Sequence, residues 1–448
     1  MGPEQPRVRL VVLNYNGGDL VVRAVQALTK LDWPADRLDL VVVDNASHDG
    51  SDRVVAERFP EVRVVHNATN MGFPGNNTGL RDLDGVDYVG LVNADSFVEP
   101  GWLRAMVAGL ESDEGLGAVS ARLLFADRYV AVDVRSPTFV PGTADHRELG
   151  VRVSGARVDH VDRWRDARFG PGSWGLEHDH SGGTFQWTGG DTTIRLPVPD
   201  EPGVVTGELR LSAETTKSVT LRSGDEEHVA MVGPQQGWAA VPLAGPPTDI
   251  VQNAGSIVFE DGYGADRGFQ EPDEGQYDAP AEVFAWCGGS VLFRPAYLAD
   301  VGLFDERFFM YYEDTDLAWR GRIRGWRYRY VPDAVVRHVH AAFTGEATPI
   351  FQHYVERNRL LMLVKDAPRD MAVRAVVRYV LITASYARRD LVRPLLGLHR
   401  PNPTQVRRRL GSFGGFLRLL PAMLVDRWRI RRRAKVGDGD LRAWFVPR

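Results

Sequence analysis

Tyr88-Val89-Gly90-Leu91-Val92-Asn93-Ala94-Asp95-Ser96 is an apolar run that breaks into an Asn-x-Asp turn. It reads as a buried parallel strand, because strands covered on both faces are continuously apolar instead of alternating. In an open α/β sheet ligands bind at the carboxyl ends of the strands, so this turn offers Asp95 to a ligand or a metal ion.

The same grammar runs through the preceding residues. Arg7 to Leu13 is a β-branched run ending in Asn14-Tyr15-Asn16-Gly17-Gly18, after which Leu20, Val21, Ala24, Val25, Leu28 and Leu31 repeat at helical spacing. Leu38 to Val43 is a second strand ending in Asp44-Asn45, followed by a helix from about Ser51 to Phe59. Val62 to Val65 is a third, and Asn70-Met71-Gly72-Phe73-Pro74-Gly75-Asn76-Asn77 then leads into a short helix. Strand, loop and helix in repetition predict right-handed βαβ units and a mostly parallel sheet. Three strand ends thus carry Asn14/Asn16, Asp44/Asn45 and Asn93/Asp95. One Asx pair is commonly a turn or a helix cap; three at neighbouring strand ends predict a cleft.

Farther on the texture changes. From about Ser136 to Pro247 short alternating stretches are punctuated by Pro and Gly, which predicts an inserted antiparallel β-sandwich or jelly roll. Its Trp164, Trp174, Trp187 and Trp238 are expected mainly as core residues. The α/β pattern resumes near Gln252. Val283 to Phe293 is a strand interrupted by Gly288-Gly289, and Gly302 to Arg320 is an aromatic stretch ending in the acidic helix start Glu313-Asp314-Thr315-Asp316. Asp316 and Arg320 have the spacing of a helix-face ion pair. Val331 to His340 is a last strand ending in His338 and His340.

Composition bounds the rest. A chain of 448 residues, 44% apolar and 25% charged, can bury several cores. The lone Cys287 excludes a disulfide framework within the chain and a cysteine-based metal cluster; it is expected as a small core residue. Met1 to Arg9 shows no apolar signal-peptide segment, and no run of about 18 apolar residues is long enough to span a bilayer. Charge is polarised: residues 350–448 hold 22 Lys and Arg against 7 Asp and Glu, and residues 1–349 hold 32 against 52. Basic amphipathic helices of this kind favour an anionic membrane surface. Nucleic acid is not expected as a partner, because the acidic body repels the same polyanion.

A cleft holding Asp44, Asp95, Asp314 and His338 suits transfer from a nucleotide diphosphate. A strand-end carboxylate and an imidazole bind a hard divalent cation, and a buried carboxylate serves as general base. At this point the chain resembles the family 2 glycosyltransferases of the GT-A fold, within them the bacterial rhamnosyltransferase-like group. The resemblance covers roughly residues 7–125 and 250–365. It rests on Asn14-Tyr15-Asn16, Val43 to Ser51, Asn70-Met71-Gly72-Phe73, Asn93-Ala94-Asp95, Glu313-Asp314-x-Asp316-Leu317 and His338, in the family's order.

The resemblance implies a GT-A fold: a Rossmann-like, mostly parallel sheet with the inserted β-sandwich and a C-terminal helical region. The boundaries expected are residues 1–135 for the nucleotide-sugar half, 136–248 for the insert, 249–348 for the acceptor and catalytic half, and 349–448 for a basic membrane-associating tail. It assigns Asn14, Tyr15, Asn16, Asp44, Asn45, Gly72, Asn76 and Asn93 to the nucleotide. Trp286, Gly288, Gly289 and Glu313 fall to the loop at the donor sugar and acceptor, and Asp314 is the general base of an inverting displacement. Asp95 and His338 are metal-side ligands for Mg²⁺ or Mn²⁺, with His340 competing for the second place. The implied activity moves L-rhamnose from dTDP-rhamnose to a glycan or polyprenyl-linked cell-envelope acceptor at the cytoplasmic face of the plasma membrane. A UDP-dependent galactofuranosyl or N-acetylglucosaminyl transferase and a catalytically dead carbohydrate-binding scaffold are the rivals. Asn93 replaces the first acid of the family's Asp-x-Asp motif, so the metal is expected to arrive with the nucleotide.

Overall fold

The computed structural model describes residues 5–142, 145–179, 182–199, 205–339, 348–397 and 400–448. They form two compact units, one of Met1–Leu124, Gln252–Gly268 and Gly275–Arg448, the other of Phe125–Val251 and Phe269–Glu274.

The first unit is α/β. Strands β1 (Val8–Asn14), β2 (Leu38–Asp44), β3 (Arg63–His66) and β4 (Tyr88–Asn93) lie in the order β4-β1-β2-β3, all parallel. Their apolar residues are buried on both faces, among them Val8, Leu10, Val12, Val42 and Val92, and Val21, Val25 and Leu28 of helix α1 (Gly18–Leu28) join the same core. Register aligns the polar ends: Asn14 stands opposite Asp44, Leu13 opposite Asn93, and Asp44 opposite His66.

The other half of this sheet carries the antiparallel pairs of a mixed, mostly parallel α/β fold. Here β5 (Ser96–Val98), β6 (Leu116–Phe125), β7 (Ser290–Phe293) and β8 (Arg327–His338) extend it. Strand β7 runs against both β4 and β6, and β8 against β5, with His338 opposite Ser96. An antiparallel neighbour needs no crossover helix, so a chain returning after a long insertion can add strands directly.

Helices α2 (Ser51–Arg58), α3 (Trp102–Glu111) and α4 (Pro295–Val301) precede α5 (Glu313–Arg324), which begins with Glu313, Asp314 and Asp316 in its first turn and stops at Gly325, whose φ of 89° few side chains tolerate. Fully buried Asp316 receives Arg320 Nε at 2.9 Å and Lys365 Nζ at 2.7 Å. Lys365 belongs to α6 (Pro349–Asp366) and also meets Asp305 at 2.8 Å, so this buried ion cluster ties α5 to α6. Removing one member of such a cluster costs about 3–5 kcal/mol. Helices α7 (Arg369–Ala387) and α8 (Thr404–Arg432) follow. Among the described residues no helix is long and apolar enough to cross a membrane.

The second unit is all β. One antiparallel sheet contains Arg128–Arg135, Asp191–Val198, Lys217–Ser223 and Glu226–Val232; another contains Arg152–Val158, Thr184–Trp187, Val205–Ser212 and Gly237–Leu243. Val132, Ile194 and Leu221 of the first and Val153, Leu209 and Val241 of the second share a core. Trp164 packs against that core, whereas Trp238 stays 41% exposed under the Arg157 guanidinium, 3.9 Å from its ring centre.

Candidate active site

The site can be assembled from the strand ends. Asn14 is fully buried and donates from Nδ2 to Asp44 Oδ1 at 2.9 Å and to Ser51 Oγ at 2.9 Å, while its Oδ1 accepts the Gly17 amide. Asp44 also accepts the Ser47 amide at 3.0 Å. Asn16, at φ 52°, accepts the His48 amide, and Tyr15 between them is 40% exposed. Asn45 is a second hub: Nδ2 donates to Asn70 Oδ1 and the Gly72 carbonyl, and Oδ1 accepts Asn67 Nδ2 and the Met71 amide. Buried Asn76 closes its own turn by donating to the Phe73 carbonyl. The Asx residues that sequence alone could not separate from turn-formers are therefore both: they fold the loops and line one edge of the sheet.

Asp95 and His338 meet at the next corner. His338 Nε2 lies 3.0 Å from Asp95 Oδ1, and its Nδ1 lies 2.8 Å from Gln252 Oε1. The imidazole thus links the Gln252 amide to the Asp95 carboxylate, and both contacts have ordinary hydrogen-bond lengths. The donor set of carboxylate and imidazole, oriented by an outer amide, fits a divalent metal. Gln252 went unnoticed in the sequence; it sits at the restart of the α/β pattern, where only its position pointed to a role. His340 lies outside the described residues.

A second grouping of possible ligands lies at β2 and β3, where atoms of Asp44, Asp52 and His66 are within 4.8 Å of one another. The hydrogen bond from His66 to Asp52 already satisfies two of the three and holds the Asp52 carboxyl below its ordinary pKa.

Asp314 has different surroundings. It is half-buried, with no cation against it among the described residues. Its Oδ1 accepts the Thr315 amide at 2.6 Å and hydroxyl at 3.1 Å, and Oδ2 accepts the Gly288 amide at 3.3 Å. Burial raises its pKa, and these three hydrogen bonds only partly oppose the rise. Neighbouring Glu313 is buried, its Oε2 has no partner, and burial together with the charges of Asp314 and Asp316 pushes its pKa well up. Burial thus favours the protonated form of Glu313 more strongly than that of Asp314 beside it. Cys287 is likewise held as a thiol by burial, with Asp266 and Asp314 adding to the effect.

The glycine pair joins the two corners. Gly288 donates to Asp314, while the Gly289 carbonyl accepts the Asn93 amide at 3.1 Å and the Ser96 hydroxyl at 3.2 Å. A Cβ on Gly288 would stand 2.8 Å from the Phe73 ring, and one on Gly289 would stand 2.8 Å from Leu123. Trp286 is not brought to an open face; it is fully buried, 4.8 Å edge-to-face from Phe293.

The loop leading to Asp314 is strained. Phe309, Tyr311 and Tyr312 have φ of 67°, 66° and 69°, which bulky residues rarely adopt. Asn358 of α6, fully buried, holds this shape by donating to the carbonyls of Phe308, Met310 and Tyr311 at 2.9, 2.7 and 2.9 Å. Arg357 adds bonds to the Arg307 and Phe308 carbonyls. The Phe309 carbonyl in turn accepts the Phe73 amide at 2.7 Å, and a Cβ on Gly72 would lie 1.9 Å from that oxygen. Gly72 is therefore needed both for its φ of 67° and for this approach.

Residues 10–135 match the sequence profile of "Glycosyl transferase family 2". A stretch of 61 residues is 49% identical to an N-acetylglucosaminyl-diphospho-decaprenol L-rhamnosyltransferase of Mycobacterium tuberculosis, covering 13% of this chain and 20% of that protein. A stretch of 133 residues is 30% identical to the beta-monoglucosyldiacylglycerol synthase of Synechocystis, covering 28% and 27%. The chain thus spans less than a third of the length of these relatives. A solved structure of GalNAc-T7 with UDP, GalNAc and Mn²⁺ superposes over 94% of this chain and 57% of its own at 11% identity, with a TM-score of 0.46, too loose a likeness to carry an argument. The domain at residues 10–135, which supplies Asn14, Asp44 and Asp95, is the part of the chain that matches glycosyl transferase family 2.

Proposed function

We propose that the protein is an inverting glycosyltransferase that moves a sugar from a nucleotide-diphosphate donor to a hydroxyl of a cell-envelope glycan, with Asp314 as general base. The observation that carries this reading is the environment of Asp314: half-buried, raised in pKa, and aimed by the Gly288 amide. A carboxylate so placed removes the proton of the attacking hydroxyl as its oxygen bonds to the anomeric carbon, and the nucleotide diphosphate leaves from the opposite face. Glu313 beside it, its pKa pushed well up by burial and by the Asp314 charge, favours leaving the charge of the pair on Asp314.

Asn14, Tyr15, Asn16, Asp44, Asn45, Gly72, Asn76 and Asn93 are read as the nucleotide side, because they converge at the strand ends and in the loop after β3. Asp95 and His338 would hold Mg²⁺ or Mn²⁺, which when bound neutralises charge on the leaving diphosphate. With Asn93 contributing no charge, the two-ligand corner gives little affinity by itself, so the metal is expected to enter with the nucleotide.

The donor we favour is dTDP-L-rhamnose, on the 61-residue likeness to a rhamnosyltransferase. The acceptor is read as lipid-linked or polymeric, and the basic tail as facing the anionic inner leaflet of the plasma membrane. A donor panel of dTDP-rhamnose, UDP-galactofuranose and UDP-N-acetylglucosamine, with membrane extract as acceptor and with or without chelator, tests all of this. Transfer from dTDP-rhamnose that chelator abolishes supports the reading. Transfer from a UDP-sugar alone replaces the donor, and no transfer from any donor overturns the assignment as an enzyme.

A further inference from the structure

Helices α7 and α8 enclose a groove of about 1340 Å³ whose walls are apolar side chains. Val373, Val376 and Val377 come from α7, and Leu420, Leu424 and Trp428 from α8. Val373 is 61% exposed, Leu424 51% and Trp428 58%. More than half of the exposed large apolar residues among those described lie between Val373 and Trp428. Apolar surface this concentrated marks an interaction site.

The rim is basic. Arg427 donates to the Val364 and Ala367 carbonyls at 2.9 and 2.8 Å, which fixes its guanidinium without neutralising it. Arg431 donates to the Asp366 carbonyl at 2.7 Å and to Asp438. Arg432 lies over the Trp428 ring, 4.5 Å from its centre. Among the described residues no carboxylate pairs with Arg369 or Arg432. The acids at the groove, Asp370 and Asp438, are both already held by arginines.

A hydrocarbon slot edged by arginines matches an amphiphile with an anionic head. We propose that this groove seats one acyl chain of an anionic phospholipid from a bilayer leaflet, with its phosphate among Arg369, Arg431 and Arg432. The proposal rests on the reading of the tail as membrane-facing and adds to it a defined lipid site. Each methylene that leaves water strengthens such binding about fourfold. A second copy of the chain is a poor occupant, because residues 350–448 carry 22 basic against 7 acidic residues and two tails would repel. Nucleic acid would satisfy the arginines and leave the groove wet.

The test is co-sedimentation of the full chain with phosphatidylglycerol or phosphatidylcholine vesicles, at low salt and at about 1 M salt, where charges act over only about 3 Å. The expected result is strong binding to phosphatidylglycerol that persists at high salt, and weak binding to phosphatidylcholine. Val377→Asp and Leu424→Asp, at half-exposed positions where the fold tolerates a carboxylate, should each lower binding at least about tenfold at high salt with an unchanged melting temperature. Arg369→Gln should lower it about fivefold at low salt. Wild-type-like binding by both carboxylate variants would overturn the groove and leave the electrostatic tail standing. No binding of wild type to phosphatidylglycerol would overturn both, without touching the transfer reaction. A concentration-dependent dimer that Val377→Asp dissolves, and that vesicles do not displace, would assign the groove to a second copy instead.

Discussion

Asp95 and Asp314 are the same chemical group at two corners of one site, separated by the Gly288-Gly289 pair. Asp95 faces an imidazole whose other nitrogen is held by Gln252, so its Oδ1 has a fixed partner. Asp314 has only amides and a hydroxyl, and burial raises its pKa. In the proposed reaction this difference divides labour between two carboxylates: the one facing a fixed imidazole would be the metal ligand, and the one held only by neutral donors would be the base.

That contrast breaks most visibly at Asp314. Asp314→Asn keeps the shape but has one acceptor oxygen, which can serve Gly288 or Thr315 and not both, and no basic oxygen, so kcat should fall about 10³-fold while donor affinity by calorimetry is unchanged. Its stability should move the other way. The folded state binds the Asp314 proton more tightly than the unfolded chain, so between the ordinary carboxylate value near 4 and the raised one, stability falls as pH rises. Removing the charge should raise the neutral-pH melting temperature and flatten that slope.

Asn358 comes next, although it touches neither corner. Asn358→Asp replaces three donated hydrogen bonds by repulsion between oxygens, and the strained Phe309–Tyr312 loop should relax. A shift of about 1 Å at Asp314 costs about 10²-fold in kcat. A KM for donor that stays within about twofold would separate this positioning role from nucleotide binding.

Gln252→Leu removes the acceptor that orients His338 and should weaken Mn²⁺ affinity in the nucleotide-bound protein about tenfold, read by titration of the paramagnetic ion. The smallest effect is expected at His66→Ala. If the metal sits at Asp95 and His338, losing the exposed His66–Asp52 pair should change metal affinity by less than about twofold. A larger loss would move the metal to the Asp44, Asp52 and His66 group.

The parallel half of the sheet was legible because β1, β2 and β4 are largely apolar runs, each followed by an Asx turn, as burial on both faces requires; β3, Arg-Val-Val-His at the edge, is only partly covered. The antiparallel half was less so: Ser290–Phe293 is four residues long, and its direction depends on the path taken after the insert. At the site, the Asx residues and the Glu313-Asp314 helix start announced themselves by position. Asn358 and Gln252 did not. The first acts on carbonyls 47 to 50 residues earlier and the second on an imidazole 86 residues later, and a single polar residue carries no local mark of such a distant partner. Trp286, which the resemblance assigned to the loop at the donor sugar and acceptor, fills the core against Phe293. The three left-handed residues at 309–312 run against the local preference of aromatic side chains, so only the tertiary clamp accounts for them.

The most direct test of the account is the pH dependence of kcat/KM for sugar transfer, measured for the wild type and for Asp314→Asn with saturating metal. The account predicts an acidic limb in the wild type, rising through one apparent pKa above the ordinary carboxylate value near 4, and its disappearance in the variant along with most of the rate. The same limb at wild-type rate in Asp314→Asn would contradict it.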